Sequence, residues 1–357
     1  MPGTTLPDSW TACKGILVTR HDTADDFLSA AYTTLQHHER SSNIILAHAL
    51  QRARSESAII DRETVAHSGT HLKSFSSIPH SADSFWLTVW SLTSTSAPPT
   101  LDLTLSCISS TLGNYPIFLW TPSPMSGTWL SPRIFELTRH LQAYVPPKRV
   151  FSVFGKAFLV KAFSKRWIEL TGSVLEPEPF YAAYYSFCTS ESFKDSDQQM
   201  PANHSIRQAT ADDLGYVAQL CQEFAAKSVF FPLTLDKARI EAEEMIYQHR
   251  IWVYEAMGEI ASICAVGRDS QTVAAITKVY TTAAWRRNGF AEHLVRYVTR
   301  SLFKIGKDSV VLYVSNGNGA LRVYDRVGFV GLVNKDKPDD VEDALELGFA
   351  GTDRGHW

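Results

Sequence analysis

The sequence predicts an α/β chain built as two tandem lobes of one repeated design, and three observations lead there. At 357 residues it is too long for one compact core and long enough for two. Strand-like and helix-like segments run along the first half, stop at a polar stretch (residues 191–204), and begin again in similar order. Each half also opens with a strand followed by the same tetrapeptide, Thr23-Ala-Asp-Asp and Thr210-Ala-Asp-Asp. In both copies the threonine can cap a helix, and the acidic pair falls in the first turn, where the helix dipole favours negative charge. The expected domains are residues 1–195 and 204–357.

Composition narrows the function. Apolar residues make up 45 % and charged residues 20 %, an ordinary globular balance. A formal net charge of −3 gives no basic footprint for nucleic acid or an anionic membrane, so neither partner is expected. Cys13, Cys107, Cys188, Cys221 and Cys264 are scattered with no C-x-x-C pair, which reads as reduced thiols and not as a disulfide frame or metal site. The N-terminus has no basic start followed by an apolar stretch, and no run approaches the ~20 apolar residues of a membrane span. A soluble cytoplasmic protein without a metal is the expectation.

In the first half, residues before Trp10 read as a loose leader, 14–20 as a strand, and Thr23 onward as a helix continuing through 43–50. Residues 68–79 are polar and irregular, a loop. Three aromatic and β-branched runs, 85–90, 101–105 and 116–120, read as strands separated by Pro98-Pro99 and Gly113-Asn114. Residues 132–144 and 157–167 read as helices and 180–187 as an aromatic strand. The aromatics Phe85, Trp86, Trp90, Trp120, Tyr184 and Tyr185 read as core.

The second half restarts with a strand at 205–209. Helices follow at 214–224, where Leu214, Val217, Cys221 and Phe224 recur at helical spacing, and at 234–247. Residues 250–255 and 260–266 form a hairpin around Met257-Gly258. A strand ending at Val279-Tyr280-Thr281 then turns through Arg286-Arg287-Asn288-Gly289-Phe290-Ala291 into a helix. A glycine-bearing, cation-flanked turn that opens a helix gathers free N–H groups at the positive end of its dipole, which suits an anion such as a diphosphate. Strand 309–314, helix 320–327 capped by Gly328, and a final strand at 329–332 complete the pattern.

Two spacings in this half resemble the GNAT superfamily of acetyl-CoA-dependent N-acetyltransferases. Arg286-x-x-Gly289-x-Ala291 is similar to the family's Q/R-x-x-G-x-G/A coenzyme loop, and Asn318-x-Ala320-x-x-x-Tyr324-x-x-x-Gly328-Phe329 to its second signature. They lie in the family's order with a strand between them. The resemblance covers about residues 204–332. The ending Gly355-His356-Trp357 resembles that of fungal members. The first half resembles a divergent GNAT-like lobe: it has no diphosphate loop, and Phe163 falls where the later motif has Tyr324.

The resemblance implies a mixed, mostly antiparallel sheet flanked by helices in each lobe, with acetyl-CoA bound only by the second. It implies that Arg286, Arg287, Asn288, Gly289, Phe290 and Ala291 hold the diphosphate, that Val279, Tyr280 and Thr281 with Asn318 hold the pantetheine arm, and that Tyr324 protonates the departing thiolate. A phenol, with an ordinary pKa near 10, keeps its proton at neutral pH and can do so. The base is open. Glu223 is the leading candidate; Glu241, Glu243, Glu244, His249 and His293 are others. The expected reaction is direct transfer of acetyl to a primary amine of a small molecule or peptide, by a monomer whose first half lines the acceptor site. The alternatives are a non-catalytic acyl-CoA-binding or scaffolding module, and an acyltransferase with an unusual donor or acceptor.

Overall fold

The computed structural model describes residues 15–65, 84–92, 98–110, 112–123, 126–196, 199–228, 230–333, 337–338 and 341–355. The leader before Trp10 and the loop expected at 68–79 lie outside them. The first half runs β1 (Ile16–His21), α1 (Ala24–His37), α2 (Glu39–Val65), β2 (Phe85–Ser91), β3 (Thr100–Cys107), a small hairpin of β4 (Ser109–Ser110) and β5 (Gly113–Asn114), β6 (Ile117–Trp120), α3 (Gly127–Tyr144), β7 (Ser152–Lys156), α4 (Ala157–Thr171) and β8 (Tyr181–Thr189). The second runs β9 (His204–Gln208), α5 (Leu214–Ala225), α6 (Leu235–Tyr247), β10 (Ile251–Ala256), β11 (Glu259–Gly267), β12 (Val273–Thr281), α7 (Phe290–Lys304), β13 (Ser309–Ser315), α8 (Ala320–Val327) and β14 (Asp343–Gly348).

Apart from the small hairpin, the halves repeat one order: strand, two helices, three strands, helix, strand, helix, strand. The repeated tetrapeptide begins the first helix in each. Thr23 accepts a hydrogen bond from the Asp26 N–H, and Thr210 forms a reciprocal capping box with Asp213. The two copies then diverge, since a 3-10 turn, Ala211–Asp213, precedes α5 in the second.

All the strands except β4 and β5 join one sheet of 12, in the order β1-β2-β3-β6-β7-β14-β8-β13-β12-β11-β10-β9. Among the described residues only β6–β7 and β12–β13 pair in parallel; the other pairs are antiparallel. The centre of the sheet is exchanged between the halves. β8 closes the first half in sequence but pairs with β13 of the second, from Thr189↔Ser309 to Ala183↔Ser315. The C-terminal β14 pairs with β7 of the first half, and with β8.

The strand expected at 329–332 is not one. Phe329 and Leu332 are each 1 % exposed and plug the core under α7 and α8, so that apolar run reflects packing and not a ladder. The closing strand lies further on, at β14. The polar stretch after β8 is held against the second half: Phe193 meets the Phe303 ring at 5.5 Å and Arg296 Nε donates to the Lys194 carbonyl at 3.0 Å. Gly328 lies beneath it at φ +114°, where a Cβ would come within 2.2 Å of the Ser192 carbonyl oxygen.

Alternating strand residues place the helices on two faces. One face packs α3 and α4 against the first half's strands, and α7 and α8 against the second's. The other carries α1 and α2, then α5 and α6. The halves also grip each other across this second face. Glu39 on α2 accepts from the Thr272 N–H at 2.8 Å and from its hydroxyl at 2.7 Å. Burial raises the Glu39 pKa, but hydrogen bonds from Ser270 and Thr272 more than offset that and hold it below its usual value.

A truncated chain beginning at Ala202 lacks β8, so β13 loses its full-length neighbour and β14 loses both partners. It should show no cooperative urea transition by circular dichroism, and a fragment that unfolds cooperatively would contradict the exchange. Gly328→Ala combines a left-handed φ with a backbone clash and should cost about 3 kcal/mol or more of unfolding free energy in the full chain.

Candidate active site

The local cause of the site is one extra residue in β12. Ala265 of β11 pairs with Lys278 and Val266 pairs with Ile276, which leaves Thr277 bulged out and exposed. The bulge resets the alternation. Ala274 and Ile276 face α7 and α8, whereas beyond it Tyr280 faces α5 and α6. The pairing with β13 ends at the same place. β12 and β13 are hydrogen-bonded from Val273↔Ser309 to Ile276↔Leu312, while β12 continues to Thr281 and β13 to Ser315. The two strands part into a wedge that connects the faces of the sheet.

At the mouth of the wedge stands the N-terminus of α7. The chain leaves β12 through a 3-10 turn, Ala283–Trp285, then passes Arg287 at φ 66° and Gly289 at φ 79°, both left-handed. Asn288 Nδ2 donates to the Trp285 carbonyl at 3.2 Å and shapes the turn. Phe290 anchors it by stacking on Tyr254, with ring centroids 4.3 Å apart. Gly289 is the N-cap and supplies no side-chain bond. Among the described residues, no carbonyl accepts from the N–H groups of Gly289 to Glu292; the first such bond is His293 N–H to Gly289 O at 3.1 Å. These donors and the positive end of the dipole of α7 are open to an anion.

Tyr324 sits deeper. It is 8 % exposed, on the α7–α8 face, with the Phe329 ring 5.7 Å away and no hydrogen bond to its hydroxyl among the described residues. Burial pushes its pKa well above the ordinary phenol value, with negative charge on Cys264 or Tyr181 acting the same way. Asn318 is exposed, and its carboxamide oxygen accepts from the Ala320 N–H at 2.9 Å to cap α8.

On the opposite face, the Tyr280 hydroxyl donates to Glu223 Oε2 at 2.9 Å and accepts from Arg286 Nη2 at 3.2 Å. Gln219 holds the other Glu223 oxygen at 3.0 Å. Arg286 therefore turns away from the helix mouth toward this cluster, with its Nε on the Thr281 carbonyl at 3.2 Å. Lys227 lies over the Tyr280 ring at 4.5 Å, its pKa lowered by burial and by Arg286. Lys278 is buried and paired with Glu241 at 2.5 Å. The sequence reading missed Lys227 and Lys278, because only the bulge and the packing of α5 and α6 bring them beside Tyr280. Of the other base candidates, Glu244 bonds Gln248 at 3.2 Å, His249 is exposed, and His293 lies 6.4 Å from the Tyr254 ring.

The corresponding strands of the first half are lined differently. β6 and β7 pair only at Ile117↔Val153 and Phe118↔Phe154, but Trp120 and Phe154 are buried there, and a Cβ on Gly155 would meet the Leu119 carbonyl at 2.6 Å. The following helix, α3, is capped by the Ser126 side chain on the Trp129 N–H. Phe163, on α4, is fully buried and brings no hydroxyl.

With this geometry in view, comparison with known proteins is specific. Residues 218–329 match the family model described as Acetyltransferase (GNAT) family. Over these residues the chain is similar to the GNAT acetyltransferases. A solved structure of a Drosophila protein shares the fold over most of the chain: TM-score 0.57 at 13 % identity, covering 91 % of this chain and 95 % of that one. A GCN5-related N-acetyltransferase from Sphaerobacter thermophilus aligns over 96 % of each chain at 15 % identity and TM-score 0.48. The aminoglycoside N-acetyltransferase AAC(6')-Iy in complex with CoA aligns with 40 % of this chain and 97 % of its own, at 16 % identity and TM-score 0.32. A search of proteins of curated function returned no match. Among the described residues no helix is long and apolar enough to cross a membrane, and no three His, Cys, Asp or Glu side chains are grouped to hold a metal.

Gly289→Ala should cost about 1 kcal/mol of stability in urea unfolding. The cost is conformational only, since the nearest atom to the new Cβ is His293 Cδ2 at 3.7 Å. Gly289→Asn, which tolerates the left-handed region better, should cost less.

Proposed function

We propose that the chain transfers the acetyl group of acetyl-CoA to a primary amine of a small molecule or peptide, by direct attack in a ternary complex. The observation that carries this reading is the wedge between β12 and β13, with the uncapped N-terminus of α7 at its mouth and a buried phenol, Tyr324, beside it. In this reading the N–H groups from Arg287 to Ala291 bind the diphosphate, and the free edges of Val279 to Thr281 bind pantetheine and the thioester carbonyl. Asn318, whose oxygen already caps α8, has its amide N–H to offer the arm. Arg286 acts through Tyr280 and not on the diphosphate.

The chemistry follows from the two faces of the wedge. Glu223, aligned by Tyr280, takes one proton from the incoming ammonium and passes it to solvent. The neutral amine attacks the thioester carbon. As the C–S bond breaks, Tyr324 gives its proton to sulfur, and the second proton shed by nitrogen restores the phenol. The first half and the second, residues 1–195 and 204–357, act as two lobes of one cytoplasmic monomer, and the first forms a wall of the acceptor site.

Calorimetry should show one acetyl-CoA per chain; no heat at millimolar ligand would overturn the reading. Tyr324→Phe should lower kcat by about 100-fold or more while leaving acetyl-CoA affinity within about twofold. Because burial raises the Tyr324 pKa above its ordinary 10.0, the acid stays protonated through neutral and mildly alkaline pH. The rate should therefore rise with pH as the amine loses its proton, with no falling limb below about pH 10. Coenzyme binding without thiol release across a broad amine panel would instead favour a non-catalytic module.

A further inference from the structure

On the face that carries α1, α2, α5 and α6, a cation at the junction of the halves has no counter-ion among the described residues. Arg268, in the turn between β11 and β12, directs its side chain to the junction of the halves. Its guanidinium carbon is 5.4 Å from the centroid of the Tyr313 ring. Tyr313 immediately follows Leu312, the last β13 residue paired with β12, so the guanidinium lies at the root of the wedge. Arg268 Nε is buried with no hydrogen-bond partner, and no carboxylate pairs with this side chain among the described residues.

What faces Arg268 is neutral. The phenols of Tyr313, Tyr181, Tyr185 and Tyr115 surround it, and burial depresses its pKa. His48 on α2 stacks on Tyr115 with ring centroids 5.2 Å apart, and its Nδ1 is also buried and unpartnered. Burial, aided by Arg268, holds His48 down at about 3, so it stays neutral at pH 7 and supplies hydrogen bonding without charge. The backbone is strained as well: Arg268 sits at φ 45°, held by Asn43 Nδ2 on its carbonyl at 2.8 Å. A half-buried cation whose Nε is buried without a partner and a strained backbone both work against the fold, and such breaches of local rules concentrate at functional sites.

We propose that Arg268 and His48, with the surrounding tyrosines, bind a carboxylate, and that the acceptor is a small amine bearing one, such as an amino acid. A carboxylate there would supply the missing counter-charge to a guanidinium whose planar fork matches it. The amine of the same molecule would then lie toward the wedge, on the Glu223 face of the sheet. This rests on the amine-acetylation reading above for the reaction, but the anion subsite can be tested without turnover.

In the wild-type protein, amino acids should show a KM at least about tenfold below that of their methyl esters. Arg268→Met keeps bulk and removes charge; it should raise the acid's KM to that of the ester and leave the ester's KM and acetyl-CoA binding unchanged. Without ligand, the Arg268→Met protein should melt at a higher temperature than wild type, because a half-buried cation with an unpartnered Nε is gone. N-acetylated amino acids, which carry the carboxylate and no amine, should raise the melting temperature of wild type and not of Arg268→Met. Esters used as well as acids, a lower melting temperature for the variant, or a carboxylate shift equal in both proteins would overturn the subsite. Stabilisation by inorganic phosphate and not by carboxylates would also overturn it. If acetyl-CoA fails to bind while the carboxylate shift separates the two proteins, the reaction is wrong and the subsite stands.

Discussion

Everything at the site depends on two backbone ladders that cross between the halves, β8 on β13 and β14 on β7. β13 is paired with β8 along its whole length but with β12 only up to Leu312. A strand released on both sides would have unsatisfied backbone groups and no fixed position. Held on one side, β13 can part from β12 and still be rigid. The first half thus supplies the strand that keeps the wedge open, and α2 reaches over to hold the β11–β12 turn through Glu39 and Thr272.

The same topology therefore has two outcomes. In the first half Trp120 and Phe154 beside the parallel strands are buried against α1 and α2, the strands approach closely at Gly155, and the next helix is capped by a serine. That is the arrangement stability favours: buried aromatic area and satisfied N–H groups. The second half gives these up. It keeps a bulge at Thr277, two left-handed residues in the α7 turn and an uncapped helix end. Each costs stability locally, and each exposes backbone polarity to a ligand. Arg268 adds, on the face of α1, α2, α5 and α6, a half-buried cation that has no carboxylate partner among the described residues.

Much of this was legible in the chain. The repeat was, because Thr23 and Thr210 cap helices through contacts only three residues apart. The α7 turn and the position of Tyr324 were, because glycine at a left-handed position and the spacing along one short helix are local constraints. Arg286 was placed correctly in the turn, yet its side chain serves Tyr280 and not the helix mouth. The run at 329–332 carried the apolar signal of a strand but packs as a plug, since burial alone does not distinguish the two.

The sequence by itself determined most of the element order, the repeated strand–helix opening and the glycine turn that leads into α7, since propensity, capping and periodicity act over a few residues. Only the tertiary structure decided which strand closes which half, which face Lys227 and Lys278 join, and that Arg268 lies unpaired at the root of the wedge. Those depend on pairings between residues far apart in the chain, and on a one-residue bulge that reverses which face each later side chain meets.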